Sequence, residues 1–351
     1  MSEKLPRRES SIQRIVGLKK EDDPEGLHRF FDAQAKYVEQ LPFEQEKSPE
    51  LVEAINQANR FLKSFFGRYG IEWQKVPIEK IHLLDPIEWQ KRNPSLKKET
   101  DLGDGKINIS TTLGYFAPDD RNVKIFQLEN PKEHLALLNV IVHEMIHANM
   151  FYSLHPVKEK QPSTISLSRK REDGQETHET LLLTWRRSGF NISGRTGHSF
   201  FHWLNEALTE ELAARFDAEY FSRIPYTTAE YAAREAVIQQ TLSSPAQIKR
   251  ARRYVANPAQ GVNEKGQTTL RYDPRPYEIH RKALETYLAK LYGKNREQFA
   301  SQQEVFKLFV NAAWDGNILP VARLVESTFG KGSFRELAER MGANRDELAN
   351  T

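Results

Sequence analysis

The sequence contains no cysteine among its 351 residues. Disulfide bonds and thiolate metal ligands are therefore excluded, so any bound metal would be held by histidine and carboxylate side chains. Proteins without cysteine are more typical of intracellular compartments than of the oxidising exterior. We therefore expect a cytoplasmic location.

Long apolar runs are also missing. No stretch approaches the ~18 consecutive apolar residues that a membrane-spanning helix requires, and the charged opening residues lack the apolar segment of a signal peptide. The net charge is only +3, so total charge does not call for a nucleic-acid or anionic membrane partner. With 38% hydrophobic and 28% charged residues, the composition is that of a globular protein.

The patterns along the chain predict an α+β protein that is mostly helical. Residues 1–25 are polar and charged, and we expect a flexible N-terminal arm. Residues 26–240 are predicted to form the main domain, in which the polar, aperiodic segment 154–177 is a surface insertion. Residues 241–351 show helical periodicity again and are predicted to form a helical C-terminal region.

Three elements of the main domain carry the strongest local signals. Residues 105–128 contain two strand-like runs around a Pro-Asp-Asp turn and predict a β-hairpin. A helix follows to about residue 152, with Asn130 as N-cap and Glu133 completing a capping box. A second helix is predicted over 199–220. The apolar stripes of these two helices are Leu135, Leu138, Val142 and Met145, and Phe201, Leu204, Leu208 and Leu212.

The first of these helices contains the segment HEMIH, residues 143–147. At ~3.6 residues per turn, His143 and His147 lie one turn apart on nearly the same side of the helix. Two such imidazoles can bind one Zn²⁺, and Glu144 beside them is placed to act as a general base. The alternative is a core helix that carries two histidines, but burial of these polar groups among apolar neighbours is costly unless they are paired or metal-bound.

A catalytic zinc ion needs a third protein ligand. The second helix offers Glu206 and Glu210, which also lie one turn apart. One carboxylate could bind the metal while the other receives a hydrogen bond from a ligand histidine and fixes its orientation.

Together, the HExxH segment and the later helical segment NEALTE resemble the signature of the gluzincins, the thermolysin-like clan of zinc metallopeptidases. The resemblance implies a zincin-like core, with a small antiparallel or mixed sheet, an active-site helix and a second ligand-bearing helix. It implies one Zn²⁺ per chain, with His143, His147 and Glu206 as ligands, Glu144 as general base and Glu210 behind a ligand histidine. A peptide or protein would be the substrate.

The resemblance also implies how the substrate would be held. In zincin folds an edge strand before the active-site helix pairs with the substrate backbone, and residues 122–128 are the expected edge strand. A side chain near the metal would stabilise the oxyanion of the transition state. The sequence leaves four candidates open for this donor, namely Tyr115, Arg187, His198 and His202.

Two further hypotheses remain open from the sequence. His198, in a Gly-His pair, could replace Glu206 as third ligand, which would resemble SprT- and Spartan-like proteases that act near nucleic acid. A non-catalytic, zinc-stabilised binding module is the other. The metzincin pattern is excluded, because Met150 and Ser153 stand where a glycine and a third histidine are required.

Basic residues are concentrated at 157–171 and 248–254. Such runs most often form solvated faces, so the sequence does not favour a nucleic-acid partner. The predicted function is therefore zinc-dependent hydrolysis of peptide bonds.

Overall fold

The fold of this chain is mostly helical with small sheets, which confirms the predicted α+β class at this level. The computed structural model describes residues 44–85, 88, 114–117, 122–126, 129–130, 133–156, 164–170, 176–182, 184–193, 199–262 and 268–342. The arm predicted at residues 1–25 lies outside this part of the chain. Among the described residues, no helix has both the length and the apolar character needed to span a bilayer.

The first sheet contains strands β1 (Glu44–Gln45), β2 (Ile81–Leu84), β3 (Gly114–Ala117) and β4 (Asn122–Ile125) in the order β1-β2-β4-β3. Strands β3 and β4 are antiparallel, which confirms the predicted hairpin for its described residues. Strand β4 also pairs in parallel with β2. The prediction that residues 122–128 form the edge strand is therefore wrong, and β3 is one of the two edges in the described part of the sheet, with β1 at the other.

Helix α1 (Pro49–Gly67) begins and ends with local signals. The Ser48 side chain accepts a hydrogen bond from the Leu51 amide at 3.1 Å. Gly70 follows the helix with φ of 76°, a conformation that glycine adopts without steric cost. This amphipathic helix contributes Leu51, Ile55 and Leu62 to the main core.

Helix α2 (His134–Asn149) starts later than predicted, and the residue just before it does not cap its N-terminus with a side chain. Glu133 occupies the N-cap position, but its side chain does not form a capping hydrogen bond. The amides of His134 and Leu135 instead donate to the carboxylate of Glu230, at 3.0 and 2.8 Å. The predicted capping box of Asn130 and Glu133 is therefore wrong. The predicted apolar stripe is confirmed, since all four residues are buried.

The segment after α2 is more regular than predicted. Strands β5 (Tyr152–Pro156), β8 (Thr184–Ser188), β9 (Asn191–Ser193) and β10 (Ser199–Phe200) form a sheet in the order β10-β9-β8-β5, and β6 (Thr164–Lys170) pairs with β7 (Glu176–Leu182). The prediction that residues 154–177 are aperiodic is wrong where these strands lie, because Ile165 and Leu167 alternate with polar residues, which is the period of a strand. That the segment is a surface insertion stays a prediction.

Helix α3 (His202–Tyr220) confirms the second predicted helix. Its predicted stripe is buried in the main core. Phe201, at its N-terminus, adopts a left-handed conformation with φ of 56°. The amides of Phe201 and Trp203 donate to the carbonyl groups of Ala338 and Met341, so residues near the end of the chain complete the start of this helix.

The remaining described chain is largely helical, as predicted for the C-terminal region. Its elements are α4 (Pro225–Thr241), α5 (Pro245–Tyr254), the antiparallel pair β11 (Val255–Val262) and β12 (Thr268–Pro274), α6 (Glu278–Lys294), α7 (Gln302–Asp315), α8 (Leu319–Phe329) and α9 (Ser333–Arg340). One hydrophobic core contains residues from every helix except α5, which packs against α4 in a small second cluster around Ile238, Ala251 and Val255. Helices α2 and α3 pack together within it, with α6 against α3.

Candidate metal centre

Two histidines of α2 present their ring nitrogens to the same point. His143 and His147 are each only 7% exposed, and their Nε2 atoms lie 3.1 Å apart. This proximity follows from the helix, because residues four apart are neighbours on one face. Two acceptor-capable nitrogens at this distance are suited to share a cation.

Glu206 on α3 completes the group. Its Oε2 atom lies 3.2 Å from Nε2 of His147 and 3.4 Å from Nε2 of His143. In a tetrahedral zinc site with bonds of 2.0–2.1 Å, neighbouring ligand atoms are about 3.3–3.4 Å apart. The three atoms thus form a triangle of the size of one face of that tetrahedron, and these three residues could hold a metal ion.

The electrostatics of the group favour positive charge. Burial opposes ionisation of Glu206, but the His147 charge and hydrogen bonds from both histidines outweigh it and hold the Glu206 pKa well below its usual range. Burial likewise disfavours a charged His143, yet Glu206 and Glu210 raise its pKa well above the usual value. A divalent cation at the three ligand atoms would be stabilised by the same carboxylates.

The second nitrogen of each ring has its own partner. His143 Nδ1 lies 2.9 Å from Oε2 of Glu210. His147 Nδ1 lies 3.4 Å from the Thr209 hydroxyl, which donates its own proton to the Asn205 carbonyl at 2.9 Å. The Glu210 carboxylate can only accept, so it holds the proton on Nδ1 of His143 and leaves the Nε2 lone pair directed at the shared point. Nδ1 of His147 also lies 3.4 Å from Nδ2 of Asn205, which is a donor.

Glu144 lies beside the histidines, and its carboxylate is buried. Burial raises its pKa above the usual value, although the charges of His143 and His147 and the nearby backbone N–H of Phe116 lower it in part. Phe116 belongs to edge strand β3. A carboxylate with a raised pKa is a stronger base than a solvent-exposed one, which suits proton transfer.

Tyr277 is a site residue that the sequence analysis missed. It precedes α6, adopts a left-handed conformation with φ of 56°, and its ring lies 6.0 Å from that of His143. Burial and the nearby carboxylates of Glu206, Glu144 and Glu210 raise its pKa well above the usual value. The hydroxyl therefore stays protonated and can donate a hydrogen bond. No local pattern marks it, because it reaches the site from a distant part of the chain.

Of the four predicted oxyanion donors, the structure describes the side chains of two, His202 and Arg187. His202, the first residue of α3, lies near Glu206 and His147, whose charges act on it, and burial lowers its pKa. The Arg187 guanidinium donates to the carbonyl groups of Gly189 and Gly316. Tyr115 lies in β3, and its side chain is not among those that the structure describes. His198 falls outside the described residues.

The basic run at 248–254 is partly neutralised by ion pairs. Arg252 pairs with Glu235 at 2.6 Å. Arg253 pairs with Glu211 at 2.8 Å and with Glu285 at 2.9 Å. These two arginines therefore stabilise contacts between helices, and the run offers less free charge than its sequence indicates.

Comparison of the chain with protein-family models, with curated proteins and with solved structures finds no match.

Proposed function

We propose that this protein is a zinc-dependent metallopeptidase that hydrolyses peptide bonds in a peptide or protein substrate. The proposal depends on one observation above all, the triangle of 3.1, 3.2 and 3.4 Å between the Nε2 atoms of His143 and His147 and the Oε2 atom of Glu206. In the proposal these three residues are the ligands of a single zinc ion per chain, as in gluzincins, and the protein works in the cytoplasm.

The donor set supports zinc over other common ions. Two imidazoles and one carboxylate suit Zn²⁺, whereas Mg²⁺ and Ca²⁺ prefer oxygen ligands alone. Three protein ligands leave one position of a tetrahedron open, which is typical of catalytic zinc sites. A zinc ion held there would supply a Lewis acid that acidifies water and polarises a carbonyl group.

Glu144 would act as the general base. Its carboxylate accepts a proton from the attacking water and later gives it to the amine that leaves when the peptide bond breaks. Its raised pKa supports both halves of this exchange, because the group must take up a proton and release it.

Tyr277 would stabilise the transition state. As the carbonyl carbon becomes tetrahedral, negative charge develops on its oxygen, and a fixed hydroxyl donor lowers the energy of that state. The neutral Tyr277 hydroxyl beside Glu206 supports this role. Of the residues proposed here to act in catalysis, it is the one contributed by the C-terminal region.

Edge strand β3 supports a peptide as substrate. It pairs on one side with β4 and is at the border of the described sheet. The Phe116 amide of this strand lies near Glu144, so an extended peptide that adds to β3 would pass close to the base. Such strand addition gives affinity through main-chain hydrogen bonds without requiring one particular sequence.

The proposal is tested with the full chain and its Glu144→Gln variant. We expect about one Zn²⁺ per chain in both, because the amide preserves the shape of the side chain and Glu144 is not a proposed ligand. Only the parent should cleave an unfolded, fluorescently labelled protein or a mixed peptide library, since the amide cannot accept the proton. The exposed variant Glu53→Gln serves as the control for preparation and should match the parent.

Each outcome distinguishes a hypothesis. A parent that takes up no zinc contradicts the metal site itself. Stoichiometric zinc without cleavage of any substrate in the library identifies the non-catalytic binding module instead. Equal cleavage by parent and Glu144→Gln would show that Glu144 is not the base, and loss of zinc in that variant would make it a ligand.

A further inference from the structure

Helix α3 carries a second set of buried carboxylates behind the metal ligand. Glu210, Glu211 and Asp217 are all nearly or completely inaccessible to solvent. A buried charge is strongly unfavourable unless an opposite charge accompanies it. In each case an arginine from another element supplies that charge.

Arg275 is the arginine that reaches towards the metal site. It follows β12, is 1% exposed, and places Nη1 at 3.6 Å from Oε1 of Glu210. Its Nη2 atom forms an ion pair with Asp217. Asp217 is held on its other side by Arg234, at 2.6 and 2.7 Å. The Arg275 guanidinium thus lies between two carboxylates of α3, at ion-pair rather than hydrogen-bond distance from Glu210.

A continuous series of charged groups results. The Oε1 atom of Glu210 faces Arg275, while its Oε2 atom accepts a hydrogen bond from Nδ1 of His143 at 2.9 Å. If Arg275 lost its charge, Glu210 would be a buried carboxylate with His143 as its hydrogen-bond partner and Arg281 as a further positive charge that acts on it. Its hydrogen bond to the imidazole would then have to change in strength or geometry, and with it the direction of the His143 Nε2 lone pair.

The same arginine also precedes Tyr277. The Arg275 amide donates to the Tyr254 carbonyl at 2.9 Å, so its backbone and side chain are both held. Only Pro276, whose φ is restricted by its ring, separates it from Tyr277. A shift of Arg275 would therefore move the tyrosine.

We infer that Arg275 is a positioning residue of the metal centre, which orients His143 through Glu210 and sets the location of Tyr277 through the short chain segment between them. The inference rests on the proposed zinc site. It assigns to the C-terminal region a role in metal affinity in addition to the contribution of one catalytic side chain.

Competitive titration with a chromophoric zinc chelator tests the inference, with Arg275→Met compared with Arg281→Met. The two arginines are matched, because each is 1% exposed and each pairs with a carboxylate of α3. The partner of Arg281 is Glu211, at 2.8 Å, and the charge of Arg281 acts on Glu210 less than the charge of Arg275 does. We expect roughly tenfold or greater loss of zinc affinity in Arg275→Met, the size of effect seen for residues behind a metal ligand, and less than twofold in Arg281→Met.

A double-mutant cycle with Glu210→Gln tests the route of the effect. If Arg275 acts through Glu210, the two substitutions together should lower zinc affinity no more than the stronger one alone. Arg275→Lys keeps the charge without the planar fork and should restore part of the affinity. Should either methionine variant fail to fold by circular dichroism, the lysine variants at 275 and 281 replace the pair in the same comparison.

Several results would overturn the inference. These are equal zinc affinity in the Arg275 variant and the parent, equal losses at positions 275 and 281, or fully additive effects of Arg275 and Glu210. Failure of the proposed function is a separate result, since in that case the parent protein itself binds no zinc.

Discussion

The position of Glu206 favours one of the two ligand sets that the sequence left open. Its Oε2 atom lies within 3.4 Å of both imidazole Nε2 atoms. We therefore expect Glu206→Ala to lose far more zinc affinity than His198→Ala, because a three-residue site that loses its only carboxylate keeps two neutral ligands. Competitive zinc titration of the two variants measures the difference. Retained zinc in Glu206→Ala with loss in His198→Ala would favour the SprT-like hypothesis.

Tyr277 gives a second prediction for a single residue. We expect Tyr277→Phe to lower kcat by roughly 100-fold with little change in KM, the cost of removing one donor to a developing oxyanion. Steady-state kinetics with a labelled peptide measure both constants, and zinc content is checked in parallel because the hydroxyl also lies beside Glu206. Tyr254→Phe is the control, since its hydroxyl bonds to Glu285. Equal effects in the two variants would contradict a catalytic role.

Among the secondary-structure elements, helix α2, which carries His143 and His147, depends on another helix for its start. The Glu230 carboxylate on α4 accepts hydrogen bonds from the first two helical amides of α2, and a negative charge there also interacts favourably with the helix dipole. We expect Glu230→Ala to lower the free energy of unfolding by about 1–2 kcal/mol. Urea denaturation measures the change.

The exposed variant Gln239→Ala on the same helix is the control for this prediction and should be neutral. Zinc affinity should change little in Glu230→Ala, because His143 lies more than two turns from the capped end. A large loss of zinc would contradict the view that Glu230 acts only on the helix start.

At the scale of the whole molecule, Asp217 joins three parts of the chain. This fully buried carboxylate of α3 binds Arg234 of α4 and Arg275 after β12. Asp217→Asn leaves two buried arginines without a full counter-charge, and we expect it to lower the free energy of unfolding by about 3–5 kcal/mol. Chemical denaturation followed by tryptophan fluorescence measures this loss.

An exposed ion pair provides the comparison. Glu53 bonds to Arg60 in α1, and both side chains are more than half exposed. Glu53→Gln should leave the unfolding midpoint unchanged, because water screens such pairs. If both variants were equally stable, the Asp217 cluster would not contribute to holding α3, α4 and the C-terminal region together.

The sequence by itself determined the features that depend on residues a few positions apart. The spacing of His143 and His147, the pair Glu206 and Glu210, and the buried stripes of both helices all follow from helix periodicity, and the structure places the three candidate ligands together. Helical periodicity is a local property, so it could be recognised without knowledge of the fold. The antiparallel pairing of β3 and β4 was also predictable, because the turn residues between the two strands are a local feature of the sequence.

Only the tertiary structure decided how distant segments meet. The contact of Tyr277 with the site, the capping of α2 by Glu230, the interior place of β4 and the pairing of Arg275 with Glu210 join residues with no sequence pattern in common. Each depends on packing of the protein interior, which brings α4 against α2, α6 against α3 and β12 against α4. Buried charges then select their partners by proximity, because an unpaired charge in that core would be too costly to retain.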